Sequence, residues 1–281
     1  AWEAARQGDH ASFRQLMPSL GDYLLYPYLQ YEDYRHRRAQ VTGEDMTGFR
    51  EAHRDWAFAP ALEQAWLRSL GDRGRGSEVL RYGSTSEDVT VRCHVARARI
   101  KAGDTKELLP EARQLWAAGR SQPDACDPVF AWLRDQGGIT DGLAWERVKL
   151  AMQARERNLA RYASRFLDED QRAWGERWHQ QDRGGYRRLQ VAVQWPRHAR
   201  AFDIVDLGLR RLARSDPDRA WEIFGQLDER LYDDETARGG LVAELALWSA
   251  VNRSPATPER MAAVPPGFRD DRLLEWKTRF E

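Results

Sequence analysis

Short polar turns interrupt an otherwise helical pattern of apolar residues, and this alternation is the feature that most constrains the fold. In three well-separated segments the apolar residues recur at the i, i+3, i+4, i+7 spacing of one helix face. These segments run from Leu108 to Trp116, from Leu159 to Leu167 and from Ala220 to Leu227. No stretch alternates convincingly enough to predict a strand. The pattern therefore predicts an all-α protein.

The predicted turns are rich in glycine, proline and small polar residues. They are Gly8-Asp9, Thr42-Gly43, Gly103-Asp104, Gly137-Gly138, Gly184-Gly185, Ser215-Asp216-Pro217 and Pro265-Pro266-Gly267. Such short connections force neighbouring helices to run antiparallel. Because small residues such as Ala96, Ala151 and Gly208 let a second helix approach closely, we predict an α-solenoid, a superhelix of antiparallel helix pairs. Its period is too irregular for a regular tetratricopeptide array, whose repeats hold a length of about 34 residues.

Composition limits the partners of the chain. It has 281 residues, of which 42% are hydrophobic, so it can build a core. Its 44 basic and 44 acidic side chains cancel, and no basic block carries the interleaved aromatics typical of nucleic-acid binding. The longest apolar runs fall far short of the ~20 residues that cross a bilayer. We expect neither a nucleic-acid partner nor a membrane-spanning helix.

The two ends of the sequence suggest a segment of a longer protein. Residues 1–7 have the pattern of the back half of a helix that ends at Gly8, and the chain does not begin with Met. Residues 270–281 have the pattern of a helix without a terminating Gly, Asn or Pro. We therefore expect that a catalytic domain could be encoded elsewhere in a parent chain.

No pattern of catalytic or metal-binding residues stands out. None of the histidines has the spacing of a zinc site, and there is neither a GxSxG elbow nor a glycine-rich loop after a strand. The carboxylates of Asp233-Asp234-Glu235 are adjacent, so they point in different directions and cannot flank one glycosidic bond. They are better placed to charge the N-terminus of the helix that follows. We predict no catalytic residue, no metal and no cofactor in this chain.

Tryptophan is frequent, with 12 residues. Trp116, Trp145 and Trp221 occupy core positions of predicted helices, where large side chains act as wedges. Trp174 and Trp178 lie four residues apart beside His179 and Gln180. We predict that these two form an exposed aromatic strip that stacks on glycan rings.

The chain has two cysteines, Cys93 and Cys126. Cys93 shares a helix face with Val89 and Ala96, and Cys126 shares one with Phe130. Both could be buried free thiols, or they could form a disulfide between adjacent helices. The residues alone leave the two interpretations open.

Three stretches resemble the N-terminal U-shaped domain of the soluble lytic murein transglycosylase family. The first is Leu25-Tyr26-Pro27-Tyr28-Leu29-Gln30-Tyr31, where Gln30 stands at a position that is usually glutamate in the family. The second runs from Leu115 to Asp127 and includes Ser121-Gln122-Pro123 before Cys126. The third runs from Trp145 to Met152. They occur in the family's order, and the resemblance covers roughly residues 1–252.

The resemblance implies that residues 1–281 are a superhelical U-domain segment, truncated at its C-terminal end, of a periplasmic enzyme. In that family a disulfide joins the two positions that match Cys93 and Cys126. The family cleaves the β-1,4 bond between N-acetylmuramic acid and N-acetylglucosamine and forms a 1,6-anhydromuramoyl end. Its catalytic glutamate lies in a C-terminal lysozyme-like domain, whose motifs do not occur here. The implied partners are peptidoglycan glycan strands and that catalytic domain.

Two other hypotheses remain open at this point. A helical-repeat adaptor could bind a protein partner in the concave face of a solenoid. An all-α enzyme could hide a catalytic acid among the glutamates of this chain. Most of those glutamates fall on polar helix faces, where water and arginines favour the charged form, so we expect the chain alone not to cleave peptidoglycan.

Overall fold

The computed structural model describes residues 1–231 and 235–280. In these ranges the regular elements are α-helices and single 3-10 turns, with no strand. The all-α prediction is therefore confirmed. Asp233 and Asp234 lie outside the described residues, while Glu235 stands in the first turn of the helix that follows them. No helix in the described ranges combines the length and the apolar character needed to cross a bilayer.

The chain divides into two compact units, Ala1–Ile139 and Thr140–Glu281. The helices of the first unit are α1 (Trp2–Gln7), α2 (His10–Leu16), α3 (Tyr26–His36), α4 (Gly43–Ala52), α5 (Phe58–Asp72), α6 (Gly76–Gly83), α7 (Val89–Ala102), α8 (Leu108–Trp116) and α9 (Asp127–Asp135). Those of the second unit are α10 (Asp141–Gln153), α11 (Arg157–Ala163), α12 (Arg172–Gly184), α13 (Tyr186–Val191), α14 (Ala199–Ala213), α15 (Pro217–Leu231), α16 (Glu235–Val251), α17 (Thr257–Ala262) and α18 (Asp271–Phe280).

Two of the predicted turns, Gly103-Asp104 and Ser215-Asp216-Pro217, separate helices that pack on each other as helical hairpins. Gly103 ends α7 in the left-handed conformation, with φ 75°, and donates its backbone N–H to carbonyls of the last turn. Thr42 caps α4: its hydroxyl accepts from the Asp45 backbone, and the Asp45 carboxylate accepts from the Thr42 backbone. The pairs α7 with α8, α10 with α11, and α14 with α15 all pack together. The prediction of helical hairpins is confirmed.

The core of the first unit surrounds Trp66 on α5. Its indole is buried among Met46, Phe49 and Leu62, and its Nε1 donates a 2.9 Å hydrogen bond to the carbonyl oxygen of Val41. A large ring thus fills the space between helices while its one polar atom is satisfied. The turn before α4 is thereby attached to α5.

Glycines mark the closest approaches between helices. A Cβ added at Gly71 on α5 would lie 2.1 Å from the ring of His94 on α7, so the two helices could not meet there with any larger residue. Gly208 on α14 is likewise a close-approach point, as the sequence predicted, with an added Cβ 2.7 Å from Leu189. Leu189 lies on α13, so Gly208 accommodates the preceding helix rather than its hairpin partner α15.

Asp182 on α12 joins several helices of the second unit. Its carboxylate accepts from Arg211 on α14 at 2.6 Å and forms a short ion pair with Arg157, the first residue of α11. Arg211 also donates to the carbonyl oxygen of Met152 near the end of α10. Because the Asp182 side chain is 9% exposed, this charge is paired inside the unit rather than solvated.

Cys93 on α7 and Cys126, at the end of a 3-10 turn before α9, are joined by a disulfide. Both are fully buried and pack with Leu115 of α8. The bond therefore ties α7 to the start of α9 inside an apolar cluster. Of the two interpretations that the residues left open, the structure has the disulfide.

Replacing both cysteines by alanine should lower the free energy of unfolding by roughly 3 to 4 kcal/mol, because the bond closes a loop of 33 residues. Urea unfolding followed by far-ultraviolet circular dichroism measures the change, and the reduced wild type should match the double variant. Mass spectrometry of a non-reduced digest provides the independent check. Free thiols at both positions in protein from an oxidising compartment would refute the prediction.

Candidate functional site

Trp174 and Trp178 on α12 are buried, at 5% and 1% exposure. The Trp174 ring stacks on His198 with centroids 4.7 Å apart, and the Trp178 ring packs on Trp145 at 5.1 Å. The predicted exposed strip is therefore wrong. Spacing by four residues places both indoles on one face of α12, and that face packs against neighbouring helices of the second unit.

The first of the three stretches forms the start of α3. Pro27 occupies the first turn of the helix, where its missing N–H costs nothing, and Leu29 is buried. Gln30 and His53 form a 2.9 Å side-chain hydrogen bond between Oε1 and Nε2, which links α3 to the residue that ends α4. Gln30 thus has a structural role here.

The second stretch leads into the disulfide. It contains the last residues of α8, an extended connection and the 3-10 turn Asp124–Cys126. The Cys126 backbone N–H donates to the Pro123 carbonyl at 2.8 Å, which closes that turn. The proline before the cysteine therefore helps to position the sulfur, and the stretch is architectural.

The third stretch lies on α10 and brings a carboxyl group into an unusual environment. Trp145 Nε1 donates a 2.6 Å hydrogen bond to Asp203 Oδ2 on α14, and the Arg200 guanidinium lies 4.7 Å from the Trp145 ring centroid. Burial raises the pKa of Asp203, while the Trp145 hydrogen bond and the charge of Lys149 oppose that shift. Asp203 could not be identified from the sequence, because nothing in its local spacing indicates a partner 58 residues away.

Among the described residues, Asp203 is the carboxyl most similar to a catalytic acid, because its pKa is raised and general acids need a raised pKa. Its Oδ2 oxygen already accepts from an indole. Three other aspartates have lowered pKa values: Asp9 through its hydrogen bond from Ser12, Asp88 through one from Arg68, and Asp218 through one from Ser254. These three carboxyls are held in the charged form.

A polar groove of about 340 Å³ lies between α8 and the connection that precedes α7. It is lined by the hydroxyls of residues 84–86, by Arg92 and Gln114, and by the carboxylates of Glu87 and Glu111, of which Glu111 lies 3.9 Å from Arg92. Arg92 donates to Gln114 Oε1 at 2.9 Å, and the Ser86 hydroxyl donates to Gln64 Oε1 at 2.7 Å. Hydroxyl, amide and guanidinium groups hydrogen-bond carbohydrate or peptide. We call this the polar groove.

No group of three or more His, Cys, Asp or Glu residues in the described part of the chain has the geometry to hold a metal ion. His94 and His179 are buried but lie on different units, α7 and α12. We take the polar groove, with its hydroxyl, amide and guanidinium groups, as the candidate site.

Replacing Asp203 by asparagine should raise the stability of the protein at pH 7. Burial raises the pKa of Asp203 in the folded state above its unfolded value of about 3.9. The stability that the neutral carboxyl contributes is therefore complete below the unfolded pKa, and it is lost as the pH rises through the folded-state pKa. Asparagine stays neutral and still offers an oxygen to Trp145. Urea unfolding at pH 7 and pH 3.5 measures the difference.

The gain of Asp203→Asn should be larger at pH 7 than at pH 3.5. The exposed Asp22 provides a matched control, because Asp22→Asn should change stability by only a few tenths of a kcal/mol. A variant that is destabilised at pH 7 but not at pH 3.5 would show instead that Lys149 makes the carboxylate charge stabilising.

Comparison with curated proteins finds homologues named soluble lytic murein transglycosylase. Those of Escherichia coli strain K12 and Salmonella typhimurium strain LT2 are each 33% identical to this chain over 142 residues. The matched part is 50% of this chain and 22% of each relative, so the match spans under a quarter of their length. No protein-family model matches the chain.

Comparison with solved structures covers the whole chain. An inactive variant of the lytic transglycosylase Slt from Pseudomonas aeruginosa matches with a TM-score of 0.82 at 28% identity, over 100% of this chain and 46% of that one. The 70-kDa soluble lytic transglycosylase of Escherichia coli matches with a TM-score of 0.69 at 20% identity, over 100% of this chain and 45% of that one. A complex of the 70-kDa soluble lytic transglycosylase with bulgecin A matches with a TM-score of 0.71 at 20% identity, over 99% of this chain and 43% of that one.

The two matches at 20% identity show the fold alone, whereas the Pseudomonas match and the curated relatives also share sequence. The resemblance carried by the three stretches is thereby confirmed. The chain is a homologue of the soluble lytic murein transglycosylases, and along its whole length it has the fold of a part of those proteins.

Proposed function

We propose that this chain is the non-catalytic helical scaffold of a periplasmic soluble lytic murein transglycosylase. The parent enzyme would cleave the β-1,4 bond between N-acetylmuramic acid and N-acetylglucosamine and form a 1,6-anhydromuramoyl end. The observation that carries this proposal is the match to Pseudomonas aeruginosa Slt, which covers the whole of this chain and 46% of that enzyme. The remainder of the parent would supply the chemistry.

The chemistry of the reaction supports a scaffold rather than a catalyst. Lytic cleavage needs a protonated carboxylic acid within hydrogen-bond reach of the glycosidic oxygen, in a partly dry cleft. The hydrogen-bonded Asp9, Asp88 and Asp218 have the opposite property, a lowered pKa. Asp203 has a raised pKa but is engaged with Trp145. We therefore place the catalytic acid in a C-terminal catalytic domain outside this chain.

The scaffold would hold glycan strands close to that catalytic domain. The polar groove offers hydroxyl, amide and guanidinium groups to a glycan or its peptide, and it lies between α8 and the short connection that precedes α7. Confining the substrate near the catalytic domain raises its local concentration, as tethering does in multivalent binding. The buried disulfide supports an oxidising compartment such as the periplasm.

The alternative function is a helical-repeat adaptor that binds a protein partner. Binding to protein-free peptidoglycan distinguishes the scaffold from the adaptor. The scaffold should co-sediment with purified, protein-free sacculi and not with chitin, which lacks the muramic acid and the peptide. An adaptor should stay in the supernatant with both.

The lining of the polar groove predicts which residues contribute to sacculus binding. Arg92→Gln should weaken sacculus binding about tenfold, because a hydrogen bond from a charged group contributes about 1.5 to 3 kcal/mol. Arg134→Gln is the matched control, since Arg134 is exposed and, in the described part of the chain, forms its ion pair with the adjacent Asp135. Co-sedimentation over a range of protein concentrations measures both. If Arg92→Gln binds sacculi as tightly as the wild type, the polar groove is not the binding site. If the wild type does not bind sacculi, the scaffold proposal is contradicted.

A further inference from the structure

A second cavity of the first unit, about 410 Å³ in volume, lies where α5 ends and α7 passes. We call it the basic cavity, defined by Arg73, His94, Arg97 and Lys101, with Asp72 at its rim. Glycines and Ala98 form much of the remaining wall, so little side-chain volume fills it. It lies outside the polar groove, and the reaction chemistry above makes no use of it.

Positive charge is in excess here. Arg73 donates to the backbone carbonyls of Ala39 at 2.7 Å and Ser69 at 3.0 Å, and Arg97 donates to the carbonyl of Gly71. These bonds orient the guanidinium groups without neutralising them. In the described ranges neither arginine, nor Lys101, forms an ion pair with a carboxylate. The acidic group of the cavity is Asp72, whose side chain is 70% exposed.

His94 adds a buried polar group with unused hydrogen-bonding capacity. The side chain is 2% exposed, and its Nδ1 has no hydrogen-bond partner. Its Nε2 lies 3.2 Å from Asp72 Oδ1 without forming a hydrogen bond to it. Contact with Gly71 holds the ring in place. A buried imidazole without a partner costs free energy unless a ligand or water bonds to it.

Burial, and then the positive charge of Arg97, lower the pKa of His94, while the nearby Asp72 and Asp88 oppose that shift. The ring is therefore neutral at pH 7 and can donate one N–H. Three cations and one N–H donor around an open volume form a receptor for an oxyanion.

We propose that the basic cavity binds a free carboxylate of a peptidoglycan stem peptide. This inference rests on the proposed function, which makes peptidoglycan the substrate. The cavity has room for more than an inorganic ion, since a water occupies about 30 Å³ of the liquid. Its lining offers no Trp, Tyr or Phe on which a sugar ring could stack. A peptide end fits these features better than a pyranose does.

The cavity would thus distinguish strands by their peptides. A stem peptide whose carboxylate is free carries the charge that Arg97 and Lys101 attract, whereas amidation or cross-linking of that carboxylate removes it. Binding should follow the charge and the geometry of the planar carboxylate. The polar groove and the basic cavity would then contact different parts of one substrate.

Isothermal titration calorimetry of the full chain with a purified muropeptide tests the assignment. The free-acid muropeptide should bind at least tenfold more tightly than its carboxamide analogue, and a chitin disaccharide, which has neither a peptide nor a carboxylate, should not bind. Inorganic phosphate is the competing oxyanion. Phosphate that binds while the free-acid muropeptide does not would overturn the proposal in favour of a phosphate site.

Variants localise the binding. Lys101 is exposed, so Lys101→Gln should fold normally and weaken free-acid binding about tenfold, and Arg97→Gln should weaken it further. Lys106→Gln removes the same charge five residues away on an exposed lysine outside the cavity and should leave affinity unchanged. Equal affinity of wild type and Lys101→Gln, with equal affinity for acid and amide, would overturn the proposal.

The imidazole of His94 gives a readout that does not depend on folding of any variant. In ¹³C-labelled wild type, the signals of this buried histidine should shift on addition of the free-acid muropeptide and not of the amide. Sacculus co-sedimentation separates the two proposals. If the chain sediments with sacculi but does not prefer the free carboxylate, the scaffold proposal stands and the assignment of the basic cavity is wrong. If the chain does not sediment with sacculi, the scaffold proposal itself is contradicted.

Discussion

Burial of one helix against the next is the constraint on which the rest of this structure depends. A hairpin of two helices joined by three to five residues cannot cover its own apolar faces, so each pair must pack on its neighbours. The chain meets this need with large indoles such as Trp66 and Trp178 and with glycines at points of closest approach such as Gly71. Asp182 adds a paired charge between α11 and α14. Tryptophan frequency in this chain therefore reflects helix packing more than sugar stacking.

The same constraint explains what could be predicted from the sequence. Periodicity and turn residues predict the helices and their hairpins, because both are local properties of the chain. The burial of Trp174 and Trp178 could not be predicted, since spacing by four residues is the same for a buried face and for an exposed one. Gly208 is recognisable as a close-approach point, but its partner Leu189 depends on which helices become neighbours.

The candidate sites depend on long-range neighbours even more strongly. Asp203 acquires its raised pKa from burial beside Trp145, 58 residues earlier in the chain. Arg73 and Arg97 meet in one cavity only because α5 and α7 pack together, and the same packing at Gly71 buries His94. In the sequence these arginines have the spacing of ordinary solvated helix positions. In the function that we propose, the chain binds its substrate through surfaces that helix packing creates, and the covalent chemistry belongs to a domain outside it.

We propose that this chain holds peptidoglycan without cleaving it. The most direct test is to incubate purified sacculi with the chain alone and with the full-length protein to which we assign it, and to detect 1,6-anhydromuropeptides by mass spectrometry. The account predicts these products from the full-length protein and none from the chain. Turnover by the purified chain that disappears when one of its own carboxylates is replaced by the amide would contradict the account and place the active site within these residues.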